Sequence, residues 1–159
     1  MEKIRLFFDT NVLVYAHDES SLFHEESASL LDLAVEKKIH GVISEQNIME
    51  LYRVLTNPSA MVGKPLRPLE VKALIEKTYL ERNFEIIYPT KLTLTKTIDL
   101  AIEKNSTSAK IFDMRLSAHA LDAHVDYFAT YNVDDFKDIE GLNPLTPKEI
   151  LFEIDKKEL

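Results

Sequence analysis

The sequence contains no cysteine, and this absence excludes three kinds of chemistry. A chain of 159 residues without cysteine forms no disulfide, builds no thiolate zinc site and offers no thiol nucleophile. Glycine is nearly as scarce, with three residues far apart in the sequence: Gly41, Gly63 and Gly141. Walker loops and dinucleotide-binding fingerprints need several clustered glycines. Both motifs are therefore excluded, and most nucleotide-cofactor functions with them.

The sequence also lacks a long hydrophobic segment. Apolar stretches at residues 6–8 and 12–16 are separated by Asp9 and Asn11, and they fall well short of the roughly 20 residues that a membrane-spanning helix needs. The N-terminus has no signal-peptide pattern of a basic region, an apolar region and small residues. We therefore expect a cytoplasmic protein that makes no membrane contact.

Positive charge is in the minority. The chain has 19 Lys plus Arg against 27 Asp plus Glu, a formal net charge of −8 and 45% hydrophobic residues. This balance argues against nucleic-acid binding by bulk electrostatic attraction, although a local basic patch or bound cations can still attract phosphate. The hydrophobic content is that of a globular protein, and the length fits one domain, residues 1–159.

Strand and helix patterns alternate along the chain. Short apolar runs predict strands at residues 4–8, 42–43, 84–87, 125–130 and, at a sheet edge, 142–145. Apolar residues at helical spacing predict helices after residue 11 and at 24–37, 44–57, 69–83, 95–104, from Asp113 onward and at 147–154, with a proline-rich loop at 58–68. This alternation predicts an α/β fold: a three-layer α/β/α sandwich around a mostly parallel sheet of about five strands.

Acidic residues stand near the ends of the predicted strands. Asp9 closes the first strand, and Asp134 and Asp135 follow the fourth. Asp113 opens the helix before the fourth strand, and Glu50 lies one to two turns into the helix after the second. Ligand sites of parallel sheets form at the carboxyl ends of the strands. The topology thus allows these acids to converge.

A cluster of carboxylates without His or Cys suits a hard cation such as Mg²⁺ or Mn²⁺. Each acid also has a purely structural alternative. Asp9 and Asp113 are good helix N-caps, Glu50 is an ordinary residue of a helix surface, and adjacent aspartates are common in turns. Spacing alone leaves both interpretations open.

Four segments occur in a fixed order along the chain: Phe8-Asp9-Thr10-Asn11, Glu50, Asp113 followed by Ser117-Ala118-His119-Ala120, and Thr130-Tyr131-Asn132-Val133-Asp134-Asp135-Phe136. In order and approximate spacing they resemble the PIN-domain family along nearly the whole chain, and most closely the small single-domain nucleases that act as VapC-type toxins of bacterial and archaeal toxin–antitoxin pairs. Each motif is short, and it is their ordered set that carries the resemblance.

The resemblance implies that Asp9 and Asp113 are the principal ligands of a catalytic Mg²⁺ or Mn²⁺, with Glu50 beside them. Asn132 stands where many relatives have a fourth acid, and Asp135 is the nearest acidic substitute. The catalytic and metal-binding set is therefore Asp9, Glu50, Asp113 and Asp135. The residues expected beside the metal or the substrate are Thr10, Asn11, Thr130, Asn132 and Asp134.

The implied activity is that of a metal-dependent endoribonuclease. Water would attack an RNA phosphodiester in line and leave 3′-hydroxyl and 5′-phosphate ends, without a side-chain nucleophile. The implied partners are the RNA substrate, a cognate antitoxin protein and a second copy of the chain in a homodimer. Several carboxylates so close together predict at least one raised pKa in the absence of a cation.

Three other functions stay open at this point. A catalytically silent PIN fold that binds RNA or supports an assembly is the main alternative, because Asn132 removes one acid. A purely structural role, in which the partner protein matters most, is another. A phosphatase of the haloacid-dehalogenase type needs a second aspartate two residues after the first, where this chain has Asn11.

Overall fold

The structure, a computed structural model, describes residues 2–81 and 84–158. Within these residues, five strands form one sheet and eight α-helices surround it. The strands are β1 (Arg5–Phe8), β2 (His40–Ser44), β3 (Glu85–Ile87), β4 (Tyr127–Ala129) and β5 (Pro144–Leu145). The helices are α1 (Thr10–His17), α2 (His24–Val35), α3 (Glu45–Leu55), α4 (Pro68–Ile75), α5 (Lys91–Glu103), α6 (Lys110–Asp122), α7 (Val133–Phe136) and α8 (Pro147–Glu158).

The sheet is parallel throughout, with strand order β3-β2-β1-β4-β5. From β1 the chain moves outward through β2 and β3, and then returns to the other side of β1 with β4. Strand order therefore reverses between β1 and β4, and open parallel sheets bind ligands at such a position. The edge strand β5 begins at Pro144, which an edge tolerates because it lacks a neighbour on one side.

Hydrophobic cores cover both faces of the sheet, because successive residues of a strand point to opposite sides. Leu6 and Phe8 of β1 belong to a core that α1, α2, α3, α4 and α8 complete. Phe7 stacks on Phe128 of β4, with ring centroids 5.2 Å apart, in a second core with α5, α6 and α7. The predicted three-layer α/β/α sandwich is confirmed.

Several helix boundaries differ from those predicted. Helix α5 begins at Lys91, four residues early, because the Thr90 hydroxyl caps it by accepting a 3.2 Å hydrogen bond from the Thr93 amide. Helix α6 begins at Lys110, so Asp113 lies in its first turn and does not open it. The two aspartates after β4 lie in the short helix α7 rather than in a simple turn.

The predicted helix at 69–83 changes character along its length. It is α-helical as α4 and continues as a π-helical segment, Glu76–Leu80, while its predicted end at Asn83 lies outside the described residues. The buried residues Val71, Ile75 and Tyr79 are each four apart. Four exceeds the 3.6 residues of an α-helical turn, and the wider π turn keeps Tyr79 on the buried side. Among the described residues, no helix is both long and apolar enough to cross a membrane.

Candidate active site

Asp9 lies at the carboxyl end of β1, where strand order reverses, and its side chain is almost fully buried. Oδ1 accepts a 2.8 Å hydrogen bond from the Thr10 amide, and Oδ2 accepts one of 2.8 Å from the Thr130 hydroxyl. Asp9 therefore is the N-cap of α1, as the structural alternative predicted. Burial nevertheless raises the pKa of Asp9 to about 7; the two hydrogen bonds act against this rise, and the charges of Asp113 and Glu50 add to it.

Glu50 reaches the same edge of the sheet from α3. Its Oε1 accepts hydrogen bonds from the Thr10 hydroxyl at 3.2 Å and from Gln46 Nε2 at 3.0 Å. The Thr10 hydroxyl in turn accepts a 2.9 Å hydrogen bond from Asn47 Nδ2. Because Asn47 donates to this oxygen, the Thr10 proton is directed at Glu50. Thr10 thus links α1 to α3, and its hydroxyl contacts Glu50 rather than Asp9.

Asp113 projects from the first turn of α6 and is half-buried. Burial raises the pKa of Asp113; the positive charge of Lys110 acts in the opposite direction, and the negative charges of Asp135 and Glu50 raise it further. The charges of Glu50 and Asp135 therefore raise the pKa of Asp113, and those of Asp113 and Glu50 raise the pKa of Asp9. A raised pKa was predicted for at least one acid of the cluster, and two acids show it, but burial rather than the neighbouring carboxylates is the main cause.

Asp135 lies in the first turn of α7, across a cleft from α6. Its Oδ1 is 3.1 Å from Lys110 Nζ. Asp113, Lys110 and Asp135 line this cleft, which has a volume of about 410 Å³. The neighbouring Asp134 also lines it, but its side chain is 91% exposed and pairs with Lys137 at 3.3 Å. Asp135 is therefore the better placed of the two aspartates to complete the site.

Three further residues were expected beside the ligands, namely Thr130, Asn11 and Asn132, and they differ in how near they lie to a candidate ligand. Thr130 is fully buried, donates to Asp9 and accepts a 2.9 Å hydrogen bond from the Asn132 amide. Asn11 Oδ1 accepts a weak 3.4 Å hydrogen bond from the Tyr131 amide, which ties α1 to the segment after β4. Asn132 is exposed and precedes α7. Of these three, Thr130 contacts a candidate ligand directly.

The donor atoms fit a hard divalent cation in their chemistry, because all four acids offer oxygen only. The raised pKa of Asp9 shows that its hydrogen bonds leave the buried charge incompletely compensated. Within residues 2–81 and 84–158, however, no three His, Cys, Asp or Glu side chains are arranged to hold a metal ion. Glu50 and Asp135 instead contact Gln46, Thr10 and Lys110, so an ion has to compete with these contacts.

Two residues of this network, Gln46 and Asn47, were not predicted from the sequence. Gln46 and Asn47 are buried in the first turn of α3 and support Glu50 and Thr10. Arg115 Nη1 donates to Gln46 Oε1 at 3.2 Å and so connects α6 with this support. Their spacing from Glu50, at four and three residues, places Gln46 and Asn47 near it on the helix. That spacing was the available signal, but it is too common to single them out.

Comparison with known sequences identifies the family. The sequence profile of the PIN domain matches residues 6–142, which include all four candidate ligands. The chain belongs to the PIN-domain family. This PIN domain is also 30% identical over 140 residues to "Ribonuclease VapC24" of Mycobacterium tuberculosis (strain CDC 1551 / Oshkosh), covering 84% of this chain and 90% of that protein.

Solved structures share the fold at lower sequence identity. The toxin–antitoxin structure VapBC2 from Rickettsia felis, bound to a DNA fragment of its promoter, has a TM-score of 0.64 at 20% identity, over 90% of this chain and 98% of that one. VapC20 of Mycobacterium tuberculosis, a toxin that cleaves the sarcin–ricin loop, has a TM-score of 0.63 at 11% identity, over 82% and 92%. These likenesses confirm the predicted PIN-like fold.

Proposed function

We propose that this PIN domain is a divalent-metal-dependent endoribonuclease and the toxin of a toxin–antitoxin pair. One observation supports the proposal: Asp9, Glu50 and Asp113 come from three elements far apart in the sequence, yet Glu50 accepts a hydrogen bond from Thr10, the residue next to the buried Asp9, and the charges of Glu50 and Asp113 add to the rise in the pKa of Asp9. An N-cap aspartate needs no such neighbours. Like charges placed together in a fold are destabilising unless a cation balances them.

Each residue has a specific role in this proposal. Asp9, Glu50 and Asp113 hold one Mg²⁺ or Mn²⁺, and Asp135 is the fourth acid of the site. A bound divalent ion supplies Lewis acidity, polarising the phosphate and generating hydroxide from water at neutral pH. Thr130, directly after β4, orients the Asp9 carboxylate by donating a hydrogen bond to it. The Thr10 hydroxyl and Gln46 fix Glu50 in the same way.

RNA as substrate and an antitoxin as partner are supported by the relatives. The 30% identical protein is a ribonuclease, and the similar folds include VapBC toxin–antitoxin complexes. The homodimer follows from the resemblance to VapC-type toxins. We further propose that residues 1–159 work as a single PIN-like nuclease domain. Because the chain has a formal net charge of −8, a cation bound at the site would supply the positive charge that attracts a phosphate backbone.

An RNA cleavage assay with matched variants tests the proposed function. The protein is incubated with structured and unstructured RNA in Mg²⁺, in Mn²⁺ and in EDTA. Cleavage should require the metal and should fall about 100-fold or more in Asp9→Asn and in Asp113→Asn, since even residues that only orient metal ligands cost 10–100-fold. Asp155→Asn, an exposed change on α8, is the control and should keep full activity.

Four results would contradict the proposal. Cleavage that persists in EDTA excludes a metal mechanism, and cleavage that survives both substitutions excludes this site. RNA binding without cleavage at any metal concentration favours the catalytically silent module. Release of phosphate from monoesters, with no RNA cleavage, would favour the phosphatase.

A further inference from the structure

A lysine ammonium lies within the acidic cleft, beside the candidate ligands. Lys110 Nζ is 3.1 Å from Asp135 Oδ1, and the two residues belong to helices on opposite sides of the cleft. Lys110 is also three residues before Asp113 in α6, so both side chains lie on neighbouring positions of one helix face. Its positive charge lowers the pKa of Asp113 against the effect of burial. Lys110 therefore acts on two of the four acids.

The position of Lys110 in its helix is an unfavourable one for a cation. It is the first residue of α6, where the helix dipole already presents positive charge, and no side chain caps this end at Ala109. The contact with Asp135 crosses to another element, so it is not a consequence of local helix geometry. The ammonium instead pairs with Asp135, and its charge also acts on Asp113.

The position of the ammonium, rather than charge balance, distinguishes one bound ion from two. The four acids carry four negative charges when ionised, and Asn132, where many PIN-domain relatives have an acid, adds none. Two divalent ions would neutralise the four acids but would also place the second ion against Asp135, where the ammonium already lies. One divalent ion together with the ammonium supplies three positive charges and leaves every observed contact of Lys110 in place.

We propose that Lys110 is the built-in second cation of this site, so that the protein binds one divalent ion at Asp9, Glu50 and Asp113 where a second ion would otherwise bind at Asp135. This inference rests on the proposed function, because it assumes that these acids hold a metal. It assigns Lys110 two effects. Lys110 limits the number of ions, and it repels the first ion through its charge near Asp113.

Mn²⁺ binding tests this inference without an activity measurement. The metal-free full chain is titrated with Mn²⁺ alone, with bound ions counted by electron paramagnetic resonance and affinity measured by calorimetry. The wild type should bind one ion. Lys110→Met removes the charge while keeping a similar side-chain length, and it should bind a second ion and hold the first about two- to fivefold more tightly. Lys110→Arg keeps the charge and should behave as the wild type.

Lys137→Met is the matched control. Lys137 pairs with Asp134 at 3.3 Å, immediately after α7, and the Asp134 side chain is 91% exposed. This variant makes the same change in net charge outside the ligand set, so its Mn²⁺ binding should equal that of the wild type. Lys110 and Lys137 are similarly exposed, at 57% and 56%, so neither change should disturb the fold, and circular dichroism checks this.

The results separate this inference from the proposed function. Two ions in the wild type, an unchanged number and affinity in Lys110→Met, or an equal gain in Lys137→Met would overturn the role of Lys110. Failure of the wild type to bind Mn²⁺, or undiminished binding by Asp9→Asn, would overturn the proposed function itself. One ion in the wild type and two in Lys110→Met alone would support both.

Discussion

At the scale of single residues, Asp9 shows how one side chain serves the fold and the site together. Its carboxylate caps α1 through the Thr10 amide and accepts a hydrogen bond from Thr130, yet its pKa rises to about 7. A capping aspartate at a helix N-terminus normally gains stability from the ionised form. Here burial outweighs that gain, so the folded protein holds an acid that resists ionisation near neutral pH.

The pKa of Asp9 predicts that the metal-free protein loses stability as pH rises. The ordinary value is 3.8 and the folded value about 7, so between these values the folded state binds more protons than the unfolded state. A pKa shift of this size lowers the free energy of unfolding by at most about 4 kcal/mol at high pH. Asp9→Asn should remove the loss and be more stable than the wild type at pH 8, but not at pH 4. Urea denaturation in EDTA at both values measures this, and equal pH dependence in the two proteins would refute it.

Replacement of Thr130 tests the orientation of Asp9. Thr130→Val keeps the side-chain shape but removes the donor to Asp9 and the acceptor for the Asn132 amide. We expect a loss of about 1–3 kcal/mol in the free energy of unfolding, because buried polar atoms lose their partners. Mn²⁺ affinity should fall as well. Thr130→Ser keeps the hydroxyl and should retain both properties, whereas an equal loss in Ser and Val would point to methyl packing.

The sequence singled out the candidate ligands but not the residues that support them. Asp9, Glu50 and Asp113 were selected by strand ends and by the ordered PIN-domain motifs. Gln46 and Lys110 were missed, because each looks like an ordinary helix residue until packing sets its neighbours. The contact of Gln46 with the Phe112 carbonyl at 3.3 Å and that of Lys110 with Asp135 both depend on where α6 lies.

At the scale of elements, two contacts fix the C-terminal end of α1, the helix that follows Asp9. The end of α1 is fixed by a 2.7 Å hydrogen bond between His17 Nε2 and the Tyr79 hydroxyl in the π-helical segment. The side chain of Asp18, just after α1, accepts hydrogen bonds from the amides of Val62 and Gly63 in the predicted proline-rich loop. Sequence patterns predicted the loop and the helix, but the π turn needs the tertiary contact of Tyr79.

The contact of α1 with the π-helical segment should weaken in acid. Burial lowers the pKa of His17 from 6.5 to about 4, so the unfolded state binds more protons between these values and stability falls as pH falls through them. This pKa shift corresponds to a loss of about 3 kcal/mol in the free energy of unfolding at low pH. His17→Gln keeps a hydrogen-bonding side chain and should lose less stability between pH 7 and pH 4. An acid-induced loss as large as that of the wild type would show that His17 is not responsible.

Close packing of β2 gives a second prediction at this scale. A Cβ atom at Gly41 would lie 2.6 Å from Cε1 of Phe84 and 3.0 Å from Cβ of Ala34. Gly41→Ala should therefore destabilise the protein by about 1–3 kcal/mol through overpacking, as measured by chemical denaturation. The double change with Phe84→Leu frees space and should recover part of the loss. Full stability of Gly41→Ala alone would mean that Phe84 moves aside at no cost.

At the scale of the whole molecule, the strand order creates the site. Alternating strand and helix patterns predicted the parallel three-layer fold, because such alternation leaves few other arrangements. They did not predict the order β3-β2-β1-β4-β5, because alternation does not specify on which side of β1 the chain returns after β3. That order sets β4 beside β1 and so brings Thr130 to Asp9. We expected the acids to converge from the alternating pattern, but their actual positions depend on β4 lying beside β1.

The anomalous diffraction of a crystal of the wild-type protein soaked in Mn²⁺ tests most directly whether these acids hold a metal. We expect a peak with carboxylate oxygens of Asp9, Glu50 and Asp113 within about 2.5 Å of the ion, and Lys110 still beside Asp135. A peak elsewhere on the molecule, or none near Asp9 at saturating Mn²⁺, would contradict the claim that these three acids hold a metal.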